Sequence, residues 1–235
     1  MEEYLRSNPD RVVFRPTGDS PDTDNEHFLV VELATRDLIA FWTQSSCEGH
    51  GDNHIVQAKS HDGHNWSAPI IIAGAGAPDS DGKQASWQFP VISRSGRIYL
   101  FYLLEGKRYD LDRFTSGWMG CRYSDDNGGS WTPPTTIPMP RNRFDHNDPS
   151  VPPNWIVWQT PIRDRHGRYL ASYTHWTSPQ HHDAPPEGWY SRDSRCRFFR
   201  FENIDADPEP GELRIDWFQN FERGLSVPYP GNNEV

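Results

Sequence analysis

Cysteine is scarce in this chain, with only Cys47, Cys121 and Cys196 among 235 residues. Their wide separation and odd number rule out a disulfide framework and leave at least one thiol free. No apolar run is long enough to span a bilayer. The N-terminus, Met1-Glu2-Glu3-Tyr4, lacks the basic and apolar regions of a secretory leader. Cytoplasm is therefore the default compartment, with a secreted form left open, and no membrane partner is expected. Basic residues are also few: 23 Lys and Arg face 33 Asp and Glu, for a formal net charge of −10. That balance speaks against nucleic acid, whose phosphates call for a basic surface. It is neutral towards uncharged sugars, and a local cluster of arginines would still admit an anionic one. Long helices are disfavoured by 21 Pro, 18 Gly and the lack of a 3.6-residue apolar period.

What the chain does have is aromatic side chains and repeated turns. Hydrophobic residues make up 34%, yet ten Trp, twelve Phe and nine Tyr supply large buried areas per residue. The octet Ser124-Asp125-Asp126-Asn127-Gly128-Gly129-Ser130-Trp131 is a turn with a role for each key position. Asp126 can accept backbone N–H groups within the loop, Gly128 permits a left-handed conformation, and Trp131 tucks beneath as the next strand begins. A version one residue shorter runs from Ser60 through Asp62 and Gly63 to Trp66.

These turns sit inside a longer repeat. Arg36–Trp42, Gly96–Tyr102 and Gly167–Tyr173 share a turn-then-strand pattern, with Leu38, Ile98 and Tyr169 in equivalent places. Just upstream, Trp87-Gln88-Phe89-Pro90-Val91 matches Trp158-Gln159-Thr160-Pro161-Ile162, and His27–Val31 takes that place in the first unit. Third strands are expected at Ile55–Ser60, Trp118–Ser124 and Cys196–Glu202, and fourth strands near Ile70–Ile72, Thr135–Ile137 and Leu213–Phe218. Four strands per unit, strung as a meander, predict an all-β fold, a β-propeller of four-stranded antiparallel blades. The blades fall near 27–72, 85–138 and 155–218 of a single domain over 1–235. The third unit has only Phe201-Glu202-Asn203-Ile204-Asp205 as a degenerate corner. Three blades do not close a ring, so further blades are expected beyond Val235; if the arc stays open, self-association or poor stability is expected.

Repeated S-x-D-x-G-x-x-W corners on four-stranded blades resemble the sialidase (neuraminidase) superfamily over roughly residues 27–218. That resemblance implies a six-bladed propeller, a glycan substrate and an exo-acting glycosidase that needs no cofactor. It places the Asp boxes (Ser60, Asp62, Gly63, Trp66; Ser124, Asp126, Gly128, Trp131) as structural pins. The site is implied on the opposite face, at strand-1 starts and 2–3 loops: residues 24–28, 44–54, 84–88, 104–117, 142–159 and 175–190. The family's first substrate-binding arginine, in an R-I-P motif, has no counterpart here; Asn25-Glu26-His27-Phe28 stands in its place. The nucleophilic Tyr/Glu pair belongs to blades beyond this chain. The general acid is implied on the first blade's 2–3 loop, at Asp52, with Glu48 as second candidate.

His27 occupies the pocket-facing position of the missing arginine, as a sugar contact or an acid/base. Gln88 and Gln159 are candidate hydroxyl readers, Trp87 a candidate stacking platform with a core role as its alternative, and Arg113 a partner for an acidic sugar. His175 ends the third blade's second strand and is a further substrate contact. Asp145, within Arg143-Phe144-Asp145-His146-Asn147-Asp148, reads as a turn cap. The neighbouring His181-His182-Asp183 lacks metal-ligand spacing, so no metal site is expected. Two other functions stay open: a lyase that uses histidine on a uronate-containing glycan, and a glycan-binding propeller without turnover.

Overall fold

The computed structural model describes residues 9–18, 21–47, 50–104, 116–181, 194–218 and 224–225. The chain runs through three antiparallel sheets in succession. The first holds β1 (Asp24–Glu32), β2 (Leu38–Ser45), β3 (His54–Ser60) and β4 (Ile70–Gly74). The second holds β5 (Ala85–Ile92), β6 (Ile98–Leu104), β7 (Trp118–Ser124) and β8 (Thr135–Ile137). In each, strands pair strictly in chain order. This fold is all-β and consists of antiparallel meander sheets. Because the chain turns after every strand, the 3–4 corners share one end of the sheets with the 1–2 turns. The 2–3 loops and strand-1 starts lie at the other end.

The third sheet departs from the expected pattern. Its first strand is split into β9 (Asn154–Ile156) and β10 (Ile162–Arg163), both paired with β11 (Tyr169–Trp176). β12 (Ser194–Phe201) and β13 (Ile215–Trp217) complete it. Trp158–Pro161, expected as strand, bow out between the two pieces. Trp158 is 40% exposed, its indole N–H donating to Thr174 Oγ1 at 2.8 Å. Its repeat-mate Trp87 is buried in the core.

The Asp boxes form as pins. Asp126 accepts the Ser130 N–H at 2.8 Å and the Ser124 and Ser130 hydroxyls at 2.7 Å each. Asp62 accepts the His64 and Asn65 N–H groups at 2.8 Å each. These bonds hold both carboxyls well below the usual carboxylate range. Gly63 and Gly128 take φ of 70° and 72°, the left-handed region that only glycine enters cheaply. The second box also fastens two sheets together. Gln57 on β3 donates to the Gly128 carbonyl at 2.6 Å, and Trp131 Nε1 donates back to Gln57 Oε1 at 3.1 Å. The Trp131 ring meets Phe41 edge-on with centroids 6.0 Å apart.

At the degenerate third corner, 3-10 turns at Ile204–Ala206 and Pro210–Glu212 replace the box. Here ion pairs take over the fastening: Asp205 receives a two-pronged bond from Arg163 at 2.8 and 2.9 Å and the Arg94 N–H at 3.0 Å.

The core lies between sheets. Ile39, Phe41 and Ile55 of the first pack on Ile98, Leu100 and Tyr102 of the second. Phe89 and Phe101 of the second meet Phe199 and Phe201 of the third, with centroids 4.8 to 6.1 Å apart. At the loop end, the Asn53 carbonyl accepts both the Ala75 and Ala85 N–H groups at 3.1 Å, tying the end of one sheet to the start of the next. Gly74 closes this knot with φ 89°.

Candidate functional site

β1 and β5 each carry a β-bulge at the same point, between Glu26 and Leu29 and between Ser86 and Phe89. The residues that turn the chain, His27 and Trp87, take φ of 53° and 50°. A left-handed non-glycine residue costs roughly 1–3 kcal/mol, so something must hold each in place. Gln88 does so. Its amide N–H donates to the His27 carbonyl at 2.7 Å, and its oxygen accepts the Thr43 hydroxyl at 3.0 Å. Thr43 Oγ1 in turn accepts the Trp87 N–H at 2.9 Å. Gln88 is fully buried, so its amide serves the seam between sheets and not solvent.

The His27 ring is largely enclosed. Burial pulls its pKa down to about 4, against a hydrogen bond to the Gln88 backbone that works the other way. It is therefore a neutral imidazole at pH 7, with Nε2 buried and unpartnered. Asp52 lies on the 2–3 loop as expected, where its carboxylate accepts the Ser46 N–H at 3.2 and 3.3 Å and closes the loop. Glu48 and Arg113 fall outside the described residues. Gln159 is exposed on the outer face of the third sheet, beside Ile162, Leu170 and Phe198. His27 and Gln88 are thus joined at the seam between the first two sheets, while Asp52 and Gln159 lie in other surroundings.

A different constellation forms at the loop end where the second sheet, the 141–153 connection and the third sheet meet. There a cavity of about 200 Å³ is lined by Ser116, Asp145, His146, Asn154, Trp176 and Gln180, among others. Ser116 bridges to Asn154 directly, and Trp155 Nε1 donates to the Gly117 carbonyl at 2.9 Å, which fixes the two sheets at this point. Asp145 is 5% exposed and held on several sides. Oδ2 accepts the Asn142 N–H at 2.7 Å, Oδ1 accepts His175 Nε2 at 2.9 Å, and His181 Nε2 meets the Asp145 carbonyl at 2.9 Å. Arg141 Nε stands 4.0 Å from Oδ2.

Burial alone would raise the Asp145 pKa, but the hydrogen bonds from His175 and the Asn142 N–H, with the Arg141 charge nearby, outweigh that and hold the carboxyl below its usual range. Burial dominates at His175 and pushes its pKa down despite Asp145. The pair is thus a carboxylate accepting from a neutral imidazole, with His175 Nδ1 buried and unpartnered. Arg195 completes the surround: Nη1 donates to Thr177 Oγ1 at 3.0 Å, and its guanidinium lies 3.5 Å above the Phe144 ring centroid.

Of the expected contacts among the described residues, only His175 belongs to this constellation, hydrogen-bonded to Asp145. Asp145 does cap a turn, as read from sequence. Its bond to a histidine 30 positions away depends on how the connection folds back over β11, which no local signal announces. Among the described residues no group of His, Cys, Asp and Glu is arranged to hold a metal ion, and no helix is long and apolar enough to cross a membrane.

Residues 36–196, more than half of the chain, match the BNR repeat-like domain, and the protein belongs to that family. Among solved structures it resembles a leech intramolecular trans-sialidase, with TM-score 0.59 and 11% identity, over 96% of this chain and 49% of that one. It also resembles a Hadza microbial sialidase, with TM-score 0.57 and 14% identity, over 82% and 37%. A family 117 glycoside hydrolase from the marine bacterium Zobellia galactanivorans aligns with TM-score 0.52 and 14% identity, over 88% and 58%. At these identities the likeness is one of fold. The chain spans between about a third and three fifths of the length of these proteins. No curated protein matches the sequence.

Proposed function

We propose that this BNR-type protein is carbohydrate-active and engages a terminal sugar in the cavity between the second and third sheets. The observation that carries the reading is an ionised, buried carboxylate, Asp145, beside the Trp176 side chain in a cavity that suits one ring better than an extended chain. Trp176 offers an apolar face, while Asn154, Gln180 and Ser116 offer donors and acceptors for hydroxyls. Membership of the BNR repeat-like family and glycan-active fold neighbours support the same class.

The chemistry we assign is hydrolysis of the terminal glycosidic bond. Asp145 stabilises the positive charge that develops at the sugar ring, and His175 orients it from behind. Being ionised, Asp145 does not donate the proton to the leaving oxygen, so a second group must act as the acid. One observation favours elimination as a second reading: His175 is a neutral base with a free ring nitrogen. Incubation with a glycan panel separates the two, because hydrolysis releases a saturated sugar and elimination leaves a product that absorbs in the ultraviolet. Asp145→Asn is expected to lower the rate at least about 100-fold. Turnover unaffected by that substitution would overturn the assignment, and binding without turnover by any glycan would leave a binding module.

A further inference from the structure

The 141–153 connection forms one wall of the cavity, and the residue after Asp145 has no part yet in the proposed chemistry. His146 lines the cavity together with Asp145, Trp176 and Gln180. The wall that carries it is tightly fastened although it contains no helix or strand. Arg141 stitches it from one side: Nη1 donates to the Val151 carbonyl at 2.5 Å, and Nη2 donates to the His146 carbonyl. The Val151 N–H donates to the Asp148 carbonyl at 3.1 Å, and Asp148 Oδ1 accepts the Ser150 N–H at 2.9 Å. These bonds fix the root of the His146 side chain.

A further bond fixes its ring. His146 Nδ1 accepts the Asp148 N–H at 3.0 Å. A backbone N–H can only donate, so Nδ1 carries no hydrogen while this bond stands. That rules out the imidazolium, which bears a hydrogen on both nitrogens, and also the neutral ring protonated at Nδ1. The hydrogen therefore sits on Nε2, and among the described residues no group accepts it. The same bond makes His146 a poor acid for the leaving oxygen. An imidazolium that gave up its Nε2 hydrogen would keep one on Nδ1, pressed against the Asp148 N–H.

Consecutive residues thus bring opposite hydrogen-bonding characters to one cavity. Asp145 is an ionised carboxylate that only accepts, and the His146 ring has only a donor left to offer. We infer that His146 is a specificity-determining residue, its Nε2–H donating to a hydroxyl oxygen of the bound sugar. This rests on the reading of the cavity as a terminal-sugar site, and deepens it by naming a group that tells one sugar from another. Sugars differ in where their hydroxyls point. An epimer or deoxy sugar that withdraws the oxygen leaves the N–H unmet, a loss of roughly tenfold for one bond.

Nitrogen-15 NMR of the labelled full chain tests this at pH 8, where an ordinary histidine is neutral. The His146 ring signals are identified by their loss in His146→Asn, and the Trp176 indole signal by its loss in Trp176→Phe. The free protein is expected to show Nε2 protonated and Nδ1 bare; a hydrogen on Nδ1 would overturn the inference. D-glucose, D-galactose and D-mannose are then each titrated to hundreds of millimolar. At least one is expected to shift the Trp176 indole and His146 Nε2 together. A shift at Trp176 with His146 unmoved overturns this inference and leaves the terminal-sugar reading standing. Silence at both residues with all three sugars overturns both.

His146→Asn separates a ligand contact from a loop fastener. The asparagine side-chain oxygen can still accept the N–H two residues on, which keeps the turn, but the ring N–H is gone. The apparent Kd for the responding sugar is expected to rise about tenfold, with Tm little changed. Unchanged affinity, or a variant that does not fold, would show that His146 serves the loop and would overturn the inference.

Discussion

Gln57→Leu removes the clamp by which the second Asp box grips the first sheet, and its cost follows from the geometry. Gln57 is 1% exposed and makes two bonds, to the Gly128 carbonyl at 2.6 Å and from Trp131 Nε1 at 3.1 Å. Leucine fills nearly the same volume, so little cavity energy enters. What remains is the desolvation of two groups left unpaired, about 1–3 kcal/mol for each one that stays buried. Gly128 is buried and Trp131 only partly so, and water can reach the indole more readily. The expected loss is therefore about 2–4 kcal/mol, or roughly 5–12 °C in Tm for a chain of this size. Urea unfolding followed by far-ultraviolet circular dichroism reads it directly. Trp131→Phe forfeits one of the two bonds and should cost about half as much, and the double variant should cost less than the sum because both share one clamp. A loss below about 1 kcal/mol for Gln57→Leu would refute the claim that the box joins sheets, and would reduce it to a local turn.

Two further outcomes follow from the same seams. His27 stays neutral in the folded protein down to about pH 4, whereas an unfolded histidine takes up a proton near 6.5. The unfolded state binds more protons between those values, so this stability is complete above pH 6.5 and is lost as pH falls towards 4. It amounts to about 3 kcal/mol at most, and His27→Gln should flatten the pH dependence of unfolding in that window; an unchanged slope would contradict the burial of the ring. Gly74→Ala should be badly tolerated, because a Cβ there would lie 2.7 Å from the Asn53 carbonyl oxygen and from His54 Cα, and 2.8 Å from the Ala85 nitrogen. All three are backbone atoms that cannot swing away. A stable, soluble Gly74→Ala protein would show that the knot between the first and second sheets gives more easily than drawn.

Much of the fold was legible because its information is local. Each Asp box combines a carboxylate, a glycine and a tryptophan within eight residues, and the turn-then-strand pattern repeats with the same apolar alternation. Trp158-Gln159-Thr160-Pro161 misleads for a physical reason. It copies Trp87-Gln88-Phe89-Pro90 in letters, but Ile156 and Ile162 bracket more residues than their partners Thr174 and Leu170 on β11. The surplus has to bow outward, and Trp158 and Gln159 go with it.

The site was less legible. His27 and Gln88 attract notice as polar residues on strand-1 positions, yet their groups are taken up by the bulge that re-aims the chain. Asp52 lies on the 2–3 loop of the first sheet, where it accepts the Ser46 N–H. Asp145 carries no motif. It owes its chemistry to a connection folding over β11, and becomes visible only when burial and partners are known.

The most direct test of the central claim is a crystal structure of this chain with a glycan that it binds. A sugar ring in the cavity beside Asp145 and Trp176, with hydroxyls on Asn154 or Gln180, is the predicted result. A ring bound instead at the His27–Asp52 end of the first sheet, with the Asp145 cavity closed, would contradict it.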